Sequence, residues 1–400
     1  MFGEPAAENG RPLEGLTVVD CTQMLAGPFA TQLLAELGAD VVKIERPEYG
    51  DITRAVGPEV GNSGLSAYFV AMNRGKRSVE LDLGSEAGRA AFLALVDSAD
   101  VVMENFRPRT MEKWGLDFET LHSRNSDLIV CSISGFSNGP YRDLAAFDMV
   151  VQALSGSMSI TGAADGPPAR PGIPIGDISG GMYAVIATLT ALYNRDRLGG
   201  QYIEVPMYEG LVSWLCERAG RTFVTEEPYP RLGTVHPELA PYRAFETADG
   251  WFAVAIASQA TWETLCEAIN RHDLADDPRF ETNRMRVANR AALTEELEPV
   301  LMEKTTADWF EVFREFGIPG APIQNTVEVF EDEHIRQSGR CSDLEIDGIE
   351  LPFVMCPIGF SKNEPADDGE PPHLGEHTES VFKDLLDEQT FEAITNKREE

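Results

Sequence analysis

The feature that most constrains the fold is a strand–helix–strand pattern in the first 45 residues. Residues 16–20, LTVVD, form a short apolar run typical of a buried strand, and Pro28 to Leu37 predict a helix that Gly38 ends. Residues 40–45, DVVKIE, predict a second strand. This order defines a βαβ unit, which requires a parallel sheet with helices packed against it.

The same alternation continues along the first half of the chain. The further predicted elements are strands at 78–82, 100–103, 127–133 and 202–206, and helices at 86–98, 110–123 and Ile178 to Asn194. We therefore expect an α/β fold whose large domain is built on an open, Rossmann-like parallel sheet.

The length of 400 residues predicts more than one domain, because a single core usually serves about 100–200 residues. A hairpin-like segment, GWFAVAIAS, and amphipathic helices over 250–325 are typical of a small α+β domain. We predict a large α/β domain, a linker, a small α+β domain and a C-terminal segment that returns to the large domain. Their ranges are 1–205, 206–248, 249–328 and 329–400.

The charge of the chain excludes whole classes of partner. Its 33 Lys and Arg against 66 Asp and Glu give a formal net charge of −33, which opposes nucleic acid and anionic membranes. A hydrophobic content of 43% excludes a disordered acidic chain. Only seven of the bases are Lys, and this pattern favours adaptation to high salt, where charge repulsion is screened. An acidic protein of an ordinary cytosol is the alternative.

Cysteine spacing and hydropathy predict a cytoplasmic protein. The six cysteines form no CxxC pair and have no neighbouring metal ligands, so we expect free thiols in a reducing compartment and no metal site. The first 15 residues lack the basic and apolar regions of a signal peptide. The longest apolar stretch, Met182 to Leu192, is too short to cross a membrane.

Basic and polar residues after predicted strand ends indicate a phosphate-bearing ligand. The first strand is followed by neither GxGxxG nor a P-loop, although the turn at Ala26 leaves N–H groups at a helix start. Arg46, Asn105 and Phe106 follow strands, and Lys113 lies on the next helix. Each alone is consistent with an ordinary surface residue. Together, in a chain poor in bases, they favour a ligand at the carboxyl edge of the sheet.

The candidate nucleophile is Asp177, which stands in PIGDISGG directly before an apolar helix. An Asp there is commonly an N-cap, but a helix N-terminus also favours an ionised carboxylate, which a nucleophile requires. The glycines beside it, Gly176, Gly180 and Gly181, would let another molecule approach the backbone. From the residues alone, cap and nucleophile remain open.

Three other titratable residues have simpler interpretations. Asp148 opens an apolar segment and is interpreted as a cap of that helix, with a position in the same pocket as the alternative. His236 and His377 have no neighbouring carboxylate in sequence that marks an acid–base pair. We therefore expect structural or solvated histidines at both positions.

Seven segments together resemble the class III CoA-transferases, a family that includes formyl-CoA and carnitine CoA-transferases and 2-methylacyl-CoA racemases. The segments are PLEGLTVVDCTQMLAGPFATQLLAELGADVVKIERPEYGD, NRGKRSVELDL, ENFRPRTMEKWG, FDMVVQALSGSMSITG, IPIGDISGGMYAV, GGQYIEVPMYEG and the closing LGEHT. They cover the N-terminal half almost continuously and recur near the C-terminus.

The resemblance implies an interlocked homodimer and a reaction on a coenzyme A thioester, with no permanently bound cofactor. It implies that Asp177 is the nucleophile and that Leu25 and Ala26 lie beside the thioester. The residues that it implies hold CoA are Arg46, Leu81, Asn105, Phe106 and Lys113. The implied substrates are an acyl-CoA donor, expected to be succinyl-CoA, and a small carboxylic acid, for which a C4–C5 dicarboxylate such as mesaconate is the expectation.

Several positions depart from the family pattern. Two family lysines fall on Gly84 and Ala145, and residues 222–245 hold no counterpart of the glycine-rich flap of formyl-CoA transferase. A second substrate carboxylate would need an anchor. The candidates are Arg74, Arg170, Arg231, Arg243 and His236.

Three alternative functions can be compared with this hypothesis. A racemase needs an acid and a base, and its His would stand 30 residues before Asp177, where this chain has Phe147. A carnitine-type CoA-transferase would act with (R)-carnitine and not with dicarboxylates. A non-enzymatic CoA-binding protein would not require the intact Gly-Asp-Ile-Ser-Gly-Gly. The residues favour a transferase over the other classes.

Overall fold

The structure is a computed structural model that describes residues 10–363 and 369–395. The described chain forms two compact units. The first contains the described residues before Met158, the range Pro171–Gly220 and the described residues from Glu333 onward. The second contains Met158–Arg170 and Arg221–Asp332.

The first unit contains a six-stranded parallel sheet, which confirms the predicted α/β fold. Its strands are β1 Thr17–Asp20, β2 Asp40–Glu45, β3 Arg77–Glu80, β4 Val101–Glu104, β5 Ile129–Ser134 and β6 Tyr202–Pro206. They lie in the order β3-β2-β1-β4-β5-β6, and each neighbouring pair is parallel. This is the strand order of dinucleotide-binding folds, although the chain lacks their glycine fingerprint.

Helices cover both faces of this sheet. The helices up to the boundary with the second unit are α1 Ala26–Glu36, α2 Ala67–Asn73, α3 Glu86–Val96, α4 Thr110–Lys113, α5 Phe118–Arg124, α6 Asp148–Leu154, α7 Ile175–Leu198, α8 Met207–Ser213 and α9 Cys216–Thr225. Val18 packs in the cluster that contains residues of α1 and α7, whereas Val19 packs in the cluster of α3. Successive strand residues point to opposite faces, so continuous apolar runs are needed to fill both layers.

The second unit has a small antiparallel sheet. Its strands are β7 Tyr242–Glu246, β8 Trp251–Ala255 and β9 Gly320–Pro322, in the order β7-β8-β9. Its helices are α10 Gln259–Ala268, α11 His272–Asp276, α12 Asn283–Ala288, α13 Arg290–Leu301, α14 Thr306–Phe316 and α15 Glu328–Glu331. The segment GWFAVAIAS is a single strand rather than a hairpin, and β7 lies within the range 206–248 that the sequence predicts as a linker.

The described C-terminal residues pack on the first unit. Their elements are α16 Glu333–Gln337, β10 Cys341–Ile346, β11 Ile349–Val354, α17 Thr378–Phe382 and α18 Glu388–Thr395. The N–H of Cys356 donates to Glu36 Oε2 at 2.7 Å, and the N–H of His377 donates to the carbonyl of Ser78 at 2.9 Å. The N–H of Glu80 donates to Thr378 Oγ1 at 3.0 Å, so this segment is tied to the edge strand β3.

The length of α7 differs from the prediction. It spans 24 residues instead of the expected Ile178 to Asn194, and within the described part of the chain it alone is long and apolar enough to cross a membrane by length and composition. Among its buried residues are Gly180, Ala184 and Ala191. Packing in the core of the first unit therefore accounts for the apolar residues on its buried face, whereas others, such as Ile186 and Tyr193, are exposed.

Two buried ion pairs involve charged residues on or beside the first three strands. Lys76 Nζ is 3.1 Å from Asp20 Oδ2, and Lys43 Nζ is 3.0 Å from Asp51 Oδ2, with all four side chains inaccessible to solvent. Burial lowers the pKa of Lys76 to about 8, against the opposing effect of Asp20. Burial alone would raise the pKa of Asp20, but Lys76 and Lys43 hold it well below its ordinary value. Each charge therefore depends on its partner.

Replacing Asp20 by Asn should destabilise the protein by about 3–5 kcal/mol, because Lys76 would remain buried without its counter-charge. Since the folded-state pKa of Asp20 lies below its ordinary 3.8, its contribution is present above that pH and is lost as the pH falls further. Chemical denaturation of wild type and Asp20→Asn at several pH values measures both effects.

Asp97→Asn is the control, because Asp97 forms an exposed ion pair with Arg124 that should contribute less than about 1 kcal/mol. Equal denaturation midpoints for Asp20→Asn and Asp97→Asn would contradict the role given to the buried pair.

Candidate active site

The candidate site lies where the strand order of the sheet reverses, between β1 and β4. Ligands bind at such positions because the connections from neighbouring strands diverge there and leave a crevice at the carboxyl edge. The loop after β1 contains Gln23, and Asn105 follows β4 directly. Asn105 Nδ2 donates to the Gln23 carbonyl at 2.8 Å, and its Oδ1 accepts from the Gln23 N–H at 2.9 Å. The two strand ends are therefore joined at this point.

The predicted residues Leu25 and Ala26 lie at the end of the same loop. Leu25 precedes α1 and is half-buried, whereas Ala26 is the first residue of the helix and is buried. The helix start has no side-chain cap. Because α1 follows the carboxyl end of β1 after this short loop, its first backbone N–H groups lie at the carboxyl edge of the sheet, where a helix start can bind an anion.

The other predicted CoA residues follow adjacent strands. Arg46 comes directly after β2 and is exposed, with its guanidinium 5.5 Å from the centre of the Tyr49 ring. Leu81 comes directly after β3 but is buried in an apolar cluster. Both lie along the carboxyl edge of the sheet, but of these two residues only Arg46 presents an exposed cation there.

Phe106 and Lys113 belong to the segment that follows β4. Phe106 is half-buried and packs edge-to-face on Trp114, with ring centres 5.2 Å apart. Lys113 ends α4 and is exposed. The family lysine positions Gly84 and Ala145 supply no charge, so Arg46 and Lys113 are the two predicted CoA residues that carry a positive charge.

A pocket of about 520 Å³ opens beside Phe106. Its lining includes Arg107, Arg109 and Arg142, together with the aromatic side chain of Tyr202. Glu104 also lines it, and burial raises the pKa of this carboxyl even though the Phe106 N–H donates to it at 2.7 Å. The pocket extends the carboxyl edge of the sheet from β4 towards β6.

Asp177 occupies the first turn of α7 and is half-buried. It is not the N-cap residue, because Pro174 holds that position. The capping contact comes instead from Asp148, whose Oδ1 accepts from the N–H groups of Gly176 at 2.9 Å and Asp177 at 3.4 Å. Asp148 Oδ2 accepts from Gln152 Nε2 at 2.7 Å, which fixes the carboxylate.

This geometry corrects the interpretation of Asp148. The residue was expected to cap its own helix, α6, where Phe147 is in fact the N-cap residue. It caps α7 instead and lies beside the backbone of Asp177. The capping of α7 therefore does not depend on the carboxylate of Asp177.

The glycines around Asp177 serve helix packing, which corrects their interpretation as space for a ligand. A Cβ at Gly181 would lie 2.7 Å from the Ala26 carbonyl oxygen, and one at Gly180 would lie 2.7 Å from Met207. A Cβ at Gly176 would lie 3.0 Å from Asp148 Oδ1. Helix α7 can therefore approach the start of α1 closely, and Asp177 lies one turn before this contact.

Tyr68 is a residue of this region that sequence reasoning missed. It lies on α2 and is half-buried. Burial raises its pKa to about 12, and the charges of Asp177, Asp51 and Asp148 add to that effect. Tyr68 therefore stays a neutral hydroxyl, able to donate a hydrogen bond near carboxylates. Its short helix carries no motif that marks it in the sequence.

Most of the candidate anchors for a second carboxylate are committed elsewhere. Arg74 is buried, pairs with Glu36 at 2.8 Å and lies over the Phe353 ring at 4.1 Å, so it is not an anchor. Arg231 donates to the carbonyls of Ser159 at 3.3 Å and Gly166 at 2.9 Å.

The remaining anchor candidates all lie in the second unit. Arg243 donates to the Ala244 carbonyl at 3.1 Å and to Thr294 Oγ1 at 3.3 Å. His236 Nδ1 accepts from the Glu238 N–H at 3.1 Å, which is a local structural contact. Arg170 is exposed. Among the described residues, no group of three or more His, Cys, Asp or Glu side chains forms a metal site.

Comparison with known proteins identifies the class. Residues 13–378 match the model of CoA-transferase family III. The succinyl-CoA:mesaconate CoA-transferase of Haloarcula hispanica is 41% identical over 97% of this chain and 98% of its own length. The succinate–glutarate CoA-transferase of Agrobacterium fabrum is 38% identical over 94% and 96%.

Solved structures agree with these relatives. The crystal structure of a CAIB/BAIF family protein from Brucella suis is 38% identical, with a TM-score of 0.86 over 95% of this chain and 100% of that one. The fold and these similarities define an α/β CoA-transferase. The chain belongs to CoA-transferase family III, which confirms the resemblance that its motifs indicated.

The ionisation of Tyr68 tests the electrostatic description of the site. Its phenol should ionise near pH 12 rather than near 10.0, because burial and the surrounding carboxylates disfavour the anion. The ultraviolet absorbance of tyrosinate, taken as the difference between wild type and Tyr68→Phe, measures this step.

Asp177→Asn should shift that step to lower pH, since it removes one of the three anionic charges acting on Tyr68. An unchanged titration in Asp177→Asn would contradict the proximity of the two side chains.

Proposed function

We propose that this enzyme transfers CoA from succinyl-CoA to a C4–C5 dicarboxylate, with mesaconate as the acceptor and Asp177 as the nucleophile. The observation that carries the proposal is the position of Asp177 in the first turn of α7, where Asp148 caps the helix. An acyl-accepting carboxylate needs an ionised form and a fixed position, and a helix start with another group as its cap supplies both.

The proposed reaction begins with attack of the Asp177 carboxylate on the thioester carbonyl of the donor. The carbon–sulfur bond breaks, giving a mixed anhydride and CoA thiolate. The thiolate then attacks the aspartyl carbonyl, which forms an enzyme–CoA thioester and releases succinate. The acceptor carboxylate repeats the two steps in reverse, so that the energy of the thioester is conserved and the Asp177 carboxylate is restored.

Each addition step forms an oxyanion that needs hydrogen-bond donors. In the proposal, the backbone N–H groups of Leu25 and Ala26 at the uncapped start of α1 are those donors. Arg46, Leu81, Asn105, Phe106 and Lys113 are proposed to hold CoA along the carboxyl edge of the sheet. The Asn105 amide already forms two hydrogen bonds with the backbone of Gln23. Asn105 would therefore contact CoA only with the hydrogen-bonding capacity that these two bonds leave.

The substrate assignment is supported by the names of the relatives. Succinyl-CoA or succinate appears with mesaconate, glutarate and D-citramalate in the names of separate relatives that match over at least 94% of this chain. The mesaconate relatives have the highest identity of these, at 40–41%. Mesaconate is therefore the acceptor that we propose, in a salt-adapted cytoplasmic enzyme.

We also propose that the working unit is an interlocked homodimer. In the first unit, α7 exposes large apolar side chains, among them Ile186, Tyr193 and Leu198. In the second unit, Phe223 and Val224 are more than 80% exposed. Exposed apolar surface of this kind is typical of protein interfaces, and a second copy of the chain would cover it.

A racemase mechanism has less support. The position 30 residues before Asp177 holds Phe147, which is 64% exposed and has no group that can transfer a proton. Phe147 is the N-cap residue of α6, and its side chain forms no capping hydrogen bond. Transfer of CoA needs no proton abstraction at carbon, so Phe147 does not hinder it.

Trapping with hydroxylamine tests the nucleophile. Wild-type protein mixed with succinyl-CoA and hydroxylamine should form an aspartyl hydroxamate at Asp177, found by peptide mass spectrometry. Asp177→Ala should lose about 10⁴-fold or more in kcat, because the covalent route is removed. Asp196→Asn, an exposed Asp on the last turn of the same helix, is the matched control and should keep wild-type activity. An active Asp177→Ala without hydroxamate would contradict the proposal.

A screen of acceptors tests the substrate. Succinyl-CoA in molar salt should support the highest kcat/KM with mesaconate, and lower values with glutarate, D-citramalate and oxalate. High-performance liquid chromatography of the CoA esters measures each product. Activity with (R)-carnitine but not with dicarboxylates would overturn the substrate assignment while leaving the CoA-transferase class intact.

A further inference from the structure

The loop between β1 and α1, residues Thr22–Leu25, has an unusual backbone. Met24 has φ +69°, in the left-handed region that residues with a side chain rarely adopt. Leu25 has φ −122° and ψ −58°, outside the regular regions. Such a backbone persists only where surrounding contacts hold it. The next residue, Ala26, begins α1.

Three separate segments hold this loop by its main chain. Lys43 Nζ, from β2, donates to the Thr22 carbonyl at 2.8 Å. Asn105, after β4, binds both the N–H and the carbonyl of Gln23. Asp51 Oδ1 accepts from the N–H of Met24 at 3.3 Å. The residues from Thr22 to Met24 therefore each have a main-chain bond to a side chain from another part of the fold.

Two of these contacts come from one buried ion pair. Lys43 Nζ and Asp51 Oδ2 are 3.0 Å apart, and neither side chain is accessible to solvent. Asp51 Oδ1 also accepts from the N–H and hydroxyl of Thr53, each at 2.9 Å, so the carboxylate has a fixed orientation. The pair therefore fixes the two ends of the segment from Thr22 to Met24.

The held loop faces the helix of the proposed nucleophile. Gly181 of α7 closely approaches the Ala26 carbonyl, and residues four apart lie on the same side of a helix, so Asp177 faces the start of α1 as well. Asp51 and Asp177 also act on the same phenol, that of Tyr68. The loop, the ion pair and Asp177 thus belong to one region.

We infer that the Lys43–Asp51 pair is a positioning device that holds the backbone N–H groups of Leu25 and Ala26 towards the carbonyl that Asp177 attacks. The inference rests on the proposed function, since it assigns these N–H groups to the oxyanion. Neither Lys43 nor Asp51 needs to touch the substrate in this role. Donors fixed before the reaction stabilise an oxyanion better than donors that must reorganise.

Two substitutions of Asp51 separate the loop contact from the charge. Asp51→Leu removes the acceptor for the Met24 N–H, and Asp51→Asn keeps an oxygen at that position. Asp51→Leu should lower kcat by about 10–100-fold with the donor KM changed less than about threefold, because donors that are displaced cost less than the about 10²–10³-fold of a donor that is removed. Asp51→Asn should recover most of that kcat. Steady-state kinetics with succinyl-CoA measure both constants.

A control and a second variant keep the test independent of folding. The control is Arg195→Met, which removes the ion pair between Arg195 and Asp100. Asp100 binds the N–H of Thr17 at the amino end of β1, away from the carboxyl edge, so kcat and KM should remain unchanged. Met24→Val places a β-branched side chain at φ +69° without altering the ion pair. It should lower kcat in the same way even if Asp51→Leu does not fold.

The result that overturns the inference is wild-type kcat in folded Asp51→Leu or in Met24→Val. A fall in kcat for Asp51→Leu that Asp51→Asn does not recover would also overturn it, since the charge and not the loop contact would then matter. Absence of transfer and of hydroxamate in the wild-type enzyme would instead contradict the proposed function itself.

Discussion

Burial of charge behind the carboxyl edge of the sheet is the constraint on which the candidate site depends. Asp20 ends β1, Lys43 lies in β2 and Lys76 stands directly before β3. Their contacts therefore add side-chain links between strands that are otherwise held together only by backbone hydrogen bonds. Lys76 also donates to the Pro28 carbonyl at 3.0 Å and to Thr31 Oγ1 at 2.7 Å, which ties α1 to the same cluster. Removing one charge would leave its partner uncompensated in the interior.

The sequence predicts most of the first unit because its signals are local. Buried parallel strands are continuous apolar runs, and Gly38 ends α1 within a residue or two of where the structure ends it. The motif PIGDISGG also predicts correctly that Asp177 lies at a helix start. The second unit is harder to predict, since residues 158–170 join it from a distant part of the chain.

The role of Asp148 could not be predicted, because it caps a helix that begins 27 residues later and not its own. The position of Tyr68 near Asp177 and the exclusion of Arg74 as an anchor could not be predicted for the same reason. Arg74 is held by Glu36, which is 38 residues away, and covered by Phe353, which is more than half the chain away. Sequence patterns report which elements form, whereas these contacts depend on how the elements pack.

The net charge of −33 acts against both proposed substrates, because CoA and a dicarboxylate are anions. At molar salt the screening length falls to about 3 Å, so the field of the whole surface is largely removed. Short-range groups then decide binding. In the proposed function, Arg46, Lys113 and the N–H groups at the start of α1 would act over such distances, as the proposed adaptation to salt requires.

The measurement that tests the covalent account most directly follows oxygen atoms. An acceptor whose carboxylate carries the heavy isotope of oxygen should leave one heavy atom in the Asp177 carboxylate after each turnover, because the acceptor and Asp177 share an anhydride. Mass spectrometry of the peptide that contains Asp177 should show this label, and later turnovers should release it in succinate. A catalytically active enzyme whose Asp177 never gains the label would contradict the account.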